Sequence, residues 1–354
     1  MGLTAFGGPA AHIALLHHEV VKRRGWISER EFAQLLAITN LIPGPNSTEM
    51  AIHVGLRTAG WSGFLLAGIC FILPAALIVG VLADLYVRVG HTPDASAVMR
   101  GIAPIVVALI VQATVAIGRA TLHGVPAACI AVAAAVLSLA HFNELMLLVV
   151  SGVVALGVGR VQAMLAMSLV AAGPVAAQAV TAASVSLTSL GLFFLKIGSV
   201  LFGSGYVLVA FLRADLVERL GWLTDRQLLD AIAIGQVTPG PLFTTATFIG
   251  YLLHGISGAV VATIAIFLPG FVFVAITGRL LPALDRSAAA TRFVGGVVAA
   301  SIGLMAAVAI ALAPDALASR WQIAVAGVAL ALLLFSRINA VWLVLAGGAI
   351  GYLL

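Results

Sequence analysis

Long apolar stretches separated by short polar connections run the length of the chain. Those at about 62–87, 98–118, 124–140 and 142–158, and again at about 257–281, 293–313, 321–335 and 338–354, are hydrophobic on every side. A soluble helix shows one apolar stripe, whereas a helix apolar all round is buried or sits in lipid. Several of these runs approach the roughly 20 residues needed to cross a bilayer. Ahead of each set stands the same prelude. An apolar segment (Gly2 to Val21; 189–212) leads into a polar basic loop (Lys22 to Glu31; Arg213 to Gln227) and then into two short apolar pieces. Those pieces, Phe32 to Ile42 with Ser47 to Leu56, and 228–238 with 242–253, are broken by Pro43-Gly44-Pro45 and Pro239-Gly240-Pro241. The pattern predicts an all-α polytopic membrane protein with two repeat units, 1–160 and 189–354. They are joined by 161–188, a linker rich in Ala, Ser, Thr and Gln with room for an extra helix.

The halves match residue by residue. Phe6-Gly7 pairs with Phe202-Gly203, Gly25-Trp26 with Gly221-Trp222, Arg30 with Arg226, and the two Pro-Gly-Pro motifs with each other, all at a displacement of 196. After a one-residue deletion Gly55 pairs with Gly250, Gly60 with Gly255, Leu73-Pro74 with Leu268-Pro269 and Gly101 with Gly296. Lys196 aligns with the position just before Met1, so the alignment predicts a natural start upstream of residue 1. Homologous halves with interrupted short helices are the sequence sign of a secondary transporter, with its site near the midplane and access alternating by rocking of the repeats. A duplicated structural membrane protein is the plainer alternative.

Composition narrows the class further. Of 354 residues, 62% are hydrophobic and 9% charged, against about one-quarter charged in soluble domains. The net charge of +5 comes from 18 Lys and Arg scattered singly or in small groups between apolar runs, which suits loops of a membrane protein and not a nucleic-acid surface. No Walker A motif, metal-ligand spacing or nucleophile elbow is present, so neither an enzyme, a cofactor nor a metal site is expected.

The candidate site follows from the breaks. A Pro-Gly-Pro inside an apolar run stops the helix, and lipid cannot satisfy the freed backbone groups. A restarted helix presents amides and a positive dipole end to an anion. Asn46, Ser47 and Thr48 follow the first break, and Thr244, Thr245 and Thr247 the second. They read as oxyanion donors at a shared site or, singly, as helix caps. Gly7 and Gly8, with Gly203 and Ser204, allow close backbone approach to a ligand or, more often, to a helix. Glu49, His53 and Arg57 recur every four residues, placing an acid, an imidazole and a guanidinium on one face. They read as coupling residues, with a structural ion pair as the even alternative, and repeat 2 has Thr245 where Glu49 stands. Lys196, some seven residues into an apolar helix, is offered either to a bound dianion or to an acid such as Glu49. His12 and Asp84 are lesser candidates, and Arg100 reads as a loop or interface anchor.

Phe6-Gly7-Gly8-Pro9, Gly25-Trp26 and the run Asn40 to Met50 resemble the chromate ion transporter family in its long two-repeat form, as do Thr238-Pro239-Gly240-Pro241 and Thr244 to Gly250. The resemblance implies a bacterial inner-membrane protein that exports chromate, confers chromate resistance and is driven by the proton gradient or the membrane potential. It further implies two repeats inserted in opposite orientation. The expected partners are chromate or a sulfate-like oxyanion, protons, the lipid bilayer and a second copy in a homodimer, with no nucleic acid. A loop with Lys22, Arg23, Arg24 and Arg30, against Arg213, Arg219 and Arg226 in its counterpart, places the first loop in the cytoplasm.

Overall fold

The computed structural model describes residues 2, 8–90, 92–157, 185–202, 205–284, 288–336 and 338–354, and among these it is all-α. The first repeat comprises α1 (Gly8–His17), a π-helical run (His18–Arg23), α2 (Glu29–Thr39), α3 (Asn46–Val89), α4 (Pro93–Thr121), α5 (Val125–Leu139) and α6 (Glu144–Ala155). The second comprises α7 (Leu187–Val200), α8 (Val207–Leu212), a π-helical run (Arg213–Arg219), α9 (Asp225–Val237), α10 (Thr245–Leu284), α11 (Ala288–Ala316), α12 (Arg320–Phe335) and α13 (Ala340–Leu353). Among the described residues four helices are long and apolar enough to cross a membrane: those within Asn46–Val89, Pro93–Thr121, Leu242–Gly278 and Ala289–Ala316. The segment expected as one helix over 189–212 is interrupted instead. α7 ends at Val200, the backbone of Leu201 after it is extended (φ −83°, ψ 110°), and α8 begins at Val207. Most of the expected linker lies outside the described residues.

The 44 residues of α3 as one straight rod would be about 66 Å long, twice the hydrocarbon thickness of about 30 Å. The chain avoids this by reversing. Ala59 (φ −139°, ψ 21°) and Gly60 (φ 60°, ψ −146°) leave helical geometry, and His254 (φ −147°, ψ 24°) and Gly255 (φ 58°, ψ −148°) repeat the turn in α10. In an unbroken helix Gly55 and Gly63 would stand about 12 Å apart. Here a methyl on Gly55 would lie 2.3 Å from the Gly63 carbonyl oxygen, and one on Gly250 would lie 2.3 Å from that of Gly258. Each of these helices is therefore a hairpin, with a short arm before the turn and a long arm after it. The long arms expose matching apolar stripes, Leu65, Ile69, Leu73, Leu77 and Val81 on α3 and Val260, Ile264, Leu268, Val272 and Ile276 on α10. A stripe of this chemistry suits hydrocarbon.

The two repeats interlock. α4 packs against α12 and α13 of the second repeat, α11 packs against α5 and α6 of the first, and α4 and α11 meet each other. Glycines make these crossings close. A methyl on Gly101 would be 2.0 Å from the Gly347 carbonyl, and one on its counterpart Gly296 would be 2.3 Å from the Ser151 carbonyl. Ser151 and Gly347 hold the same place in matching helices, each eight residues after an N-cap asparagine, Asn143 and Asn339, so the contacts obey the same two-fold relation as the sequence. Small residues at helix crossings are the usual means of close packing where lipid gives no hydrophobic drive.

Candidate functional site

Both breaks form as the sequence predicts, by local geometry that only glycine adopts readily. Gly44 has φ +139° and Gly240 has φ +109°. Ahead of them α2 and α9 begin with matching capping boxes, Ser28 with Glu31 and Thr224 with Gln227. The Gly44 amide donates to the carbonyl of Leu201 at 2.7 Å, tying the first break to the end of α7 in the other repeat. Gly240 lies against Ala75 of α3, where a methyl would come within 2.6 Å of the Ala75 side chain. Each break is thus docked on the opposite repeat.

The first break is the polar one. Glu49 is fully buried, and its carboxyl group rests against Gly44, where a methyl would meet Glu49 Oε1 at 2.0 Å. A methyl on Gly270 of α10 would stand 3.6 Å from Glu49 Cγ. Neither carboxyl oxygen has a hydrogen-bond partner among the described residues, and the same holds for Asn46 Oδ1 and Thr48 Oγ1. Three of the first four residues of α3 therefore hold unsatisfied polar atoms, in a protein where buried polar groups are almost always paired. Ser47 Oγ is 3.3 Å from His12 Nδ1, and Asn46 Nδ2 donates to Asn40 Oδ1 at 2.7 Å. Asn40 and Asn46 line a cavity of 460 Å3 bounded by Ile13, His17, Phe32 and Leu36. None of these side chains caps the helix. The N-cap is Pro45, with no side-chain cap, and its carbonyl takes the amides of Thr48 at 2.8 Å and Glu49 at 3.0 Å.

One turn along, His53 is also buried, and its Nε2 lies 3.4 Å from Thr277 Oγ1 of α10. The Thr277 hydroxyl proton is given to the Phe273 carbonyl at 2.7 Å, so the threonine oxygen is left to accept from the imidazole. Arg57, third in the row, points out to solvent and pairs with Glu31 at 2.9 Å. The expected acid–imidazole–guanidinium row divides accordingly into two buried groups and one exposed, ion-paired arginine.

The second break is closed. Residues 238–250 are all buried, and the chain restarts in a 3-10 turn, Leu242–Thr244, before α10. Thr244 Oγ1 donates to the Pro241 carbonyl and Thr245 Oγ1 to that of Leu242, both at 2.8 Å, while Thr247 pairs with Thr263 at 2.7 Å. In this conformation those hydroxyls serve the local backbone. Gln236, just ahead of the break, keeps a buried Nε2 with no partner among the described residues while its Oε1 accepts from Tyr206 at 3.4 Å. Lys196 donates to Asp215 at 2.9 Å, which also takes Arg219 at 2.7 Å, so its carboxylate partner is Asp215 and not Glu49. Gly7, Gly203 and Ser204 lie outside the described residues, and Gly8 opens α1. Asp84 accepts from Tyr251 and pairs with Arg88.

Residue reasoning passed over Thr277, Gln236 and Tyr206. The repeat offered one signal, since Gln236 occupies the position of Asn40. Thr277 aligns with an apolar residue, and nothing in the sequence marks it.

Interrupted helices, interlocked homologous halves and a buried carboxyl group at a break define a polytopic helical membrane protein of the duplicated-repeat type. The family model for chromate transporters matches residues 1–158 and 188–352, and the chain belongs to that family. It is 35% identical to the chromate transport protein of Pseudomonas aeruginosa over 373 aligned residues, covering 99% of this chain and 89% of the relative. It is 31% identical to the chromate transport protein of Cupriavidus metallidurans, covering 99% and 90%. An uncharacterized transporter of Methanocaldococcus jannaschii is 27% identical over 100% of this chain and 92% of its own length. No solved structure matches the chain.

Proposed function

We propose that the protein is a secondary transporter that exports chromate across the bacterial inner membrane, confers chromate resistance and is driven by the proton gradient or the membrane potential. The observation that carries this reading is Glu49, buried at the first break without a hydrogen-bond partner among the described residues and flanked by the Asn46 and Thr48 oxygens, which likewise have none there. A buried carboxyl group that forms no ion pair among the described residues is a natural carrier of the coupling proton, since ionisable groups inside a span are functional candidates by default. The relatives named chromate transport protein give the substrate class.

In the proposed cycle the amide end of α3 attracts the dianion. The first-turn residues Asn46, Ser47 and Thr48 contact it, and Glu49 with His53 exchanges the coupling proton. Rocking of the interlocked repeats opens the second break and releases the hydroxyls of Thr244, Thr245 and Thr247 from their carbonyls. Lys196, engaged by Asp215, is left out of the binding set. The repeats are inverted in this reading, with the first loop cytoplasmic.

Sulfate is isosteric with chromate, and a sulfate-like oxyanion is the alternative cargo. Uptake of labelled chromate and labelled sulfate into inverted vesicles, with and without a proton ionophore, separates them. The proposal expects chromate accumulation that the ionophore abolishes. Absence of accumulation under an imposed gradient rejects it.

A further inference from the structure

The second repeat has no carboxyl group at its restart, since Thr245 takes the place of Glu49, yet it buries one on the other side of its break. Asp230 lies on α9, nine residues before Pro239, and is 4% exposed. Its Oδ2 accepts from the Tyr86 hydroxyl of α3, in the first repeat, at 2.7 Å. The equivalent position in the first repeat is Gln34, so the feature belongs to this half alone.

Asp230 also lines a cavity of 90 Å3, room for a few water molecules at about 30 Å3 each. That cavity shares Arg100, Arg226, Asp315 and Gln322 with a neighbouring one of 340 Å3, which extends to Trp321 and Leu354. Arg100, Arg226 and Asp315 are exposed, so the pair of cavities forms a passage from the surface to the buried carboxyl group. The groups facing Asp230 come from every side of the passage: Tyr86 from α3, Arg100 from α4, Arg226 from α9 itself, Asp315 from α11 and the neutral Gln322 from α12. Among the described residues neither arginine forms an ion pair with Asp230. Arg226 donates to the Ser96 carbonyl at 3.2 Å, and Gln322 holds the Arg100 carbonyl at 3.1 Å.

We propose that Asp230 is a proton-binding site of the second repeat, exchanging with the aqueous phase through the neck formed by Arg100, Arg226, Asp315 and Gln322. The carboxylate takes its proton from a water or hydronium ion in the inner cavity and returns it by the same route. Tyr86 keeps its own proton throughout and donates to whichever oxygen stays unprotonated. Each repeat then presents a buried acid that forms no ion pair among the described residues, Glu49 after the first break and Asp230 before the second, whereas the buried Asp215 is held by Lys196 and Arg219. This inference deepens the proton-driven reading above and is tested without relying on transport.

Infrared difference spectra of the purified, reconstituted protein between acidic and alkaline buffer read the protonated carboxyl stretch directly. The proposal expects a reversible carboxyl signal that is lost in Asp230→Asn, shifted in Tyr86→Phe and regained in Asp230→Glu. Water access is read in a Cys70→Ser, Cys129→Ser background carrying Met99→Cys, a lining residue of the inner cavity, which a charged thiol reagent should label from one face of the vesicle only. A signal unchanged in Asp230→Asn, or a Met99→Cys that stays unlabelled from both faces, overturns the proposal. Chromate flux in the same vesicles reports separately: a titrating Asp230 in a protein that moves no chromate leaves the proton site standing and removes the substrate reading.

Discussion

Gly44 and Glu49 occupy each other's space, and no other residue type permits it. A side chain at 44 would meet Glu49 Oε1 at 2.0 Å and would have to adopt φ +139°. Gly44→Ala is expected to lower stability by about 1–3 kcal/mol through backbone strain and to displace Glu49 as well. Thermal unfolding in detergent, followed by tryptophan fluorescence, measures the first effect. Glu31, outside the apolar spans, gives a pH prediction. The Ser28 amide first, then Arg57 and the Ser28 hydroxyl, hold its carboxyl at about 2 against an ordinary value of 4.5. A depressed value stabilises the folded state above the unfolded one and is lost as pH falls, so this contribution is present above about 4.5 and disappears toward 2. Melting temperatures of wild type should fall more steeply than those of Glu31→Gln between those limits. At this scale the sequence was legible at the two breaks and in the burial that Glu49 and His53 share one turn apart. It was silent for Thr277 and Asp230, whose meaning comes from partners on distant helices.

The reversal at Gly60 is the element on which the site's shape depends, because it folds the helix carrying Glu49 back beside its own long arm. A methyl on Gly60 would meet nothing within 4 Å, so substitution there isolates the backbone term. Gly60→Ala should destabilise by about 1–3 kcal/mol, and Gly255→Ala by a similar amount, since φ near +60° with ψ near −147° is glycine territory. Gly80→Ala, in the long arm with equally open surroundings, should be neutral or stabilising by up to about 1 kcal/mol. Melting curves of the three variants decide the matter. Hydrophobic patterning placed a boundary between residues 56 and 62, where the turn lies, but could not show that the chain doubles back. An apolar run records depth and burial; direction is set by the dihedral angles of two residues, Ala59 and Gly60 in one helix and His254 and Gly255 in the other. For the same reason the gap between α7 and α8 was invisible in an unbroken apolar segment.

Duplication was plain in the sequence, whereas the interlocking of the halves was not, since helix α4 carries no mark that its neighbours are α12 and α13. The two-fold relation predicts equal consequences at equivalent glycines. Gly101→Leu and Gly296→Leu should each overpack a crossing by about 1–3 kcal/mol or more and reduce the monodisperse fraction in gel filtration to a similar degree. Markedly unequal losses would deny the symmetric packing. Interlocked halves cannot separate as independent bodies, which suits the proposed rocking motion that opens the closed second break. In the proposed cycle the trigger for that motion is Glu49, which lies between Gly44 and Gly270. The central claim is therefore met most directly by the pH dependence of chromate flux in proteoliposomes, wild type against Glu49→Gln, with correct insertion checked by gel filtration. The account predicts that flux in wild type varies with pH and that flux in the variant, reduced or not, no longer does. A Glu49→Gln protein with the pH profile of wild type would contradict it.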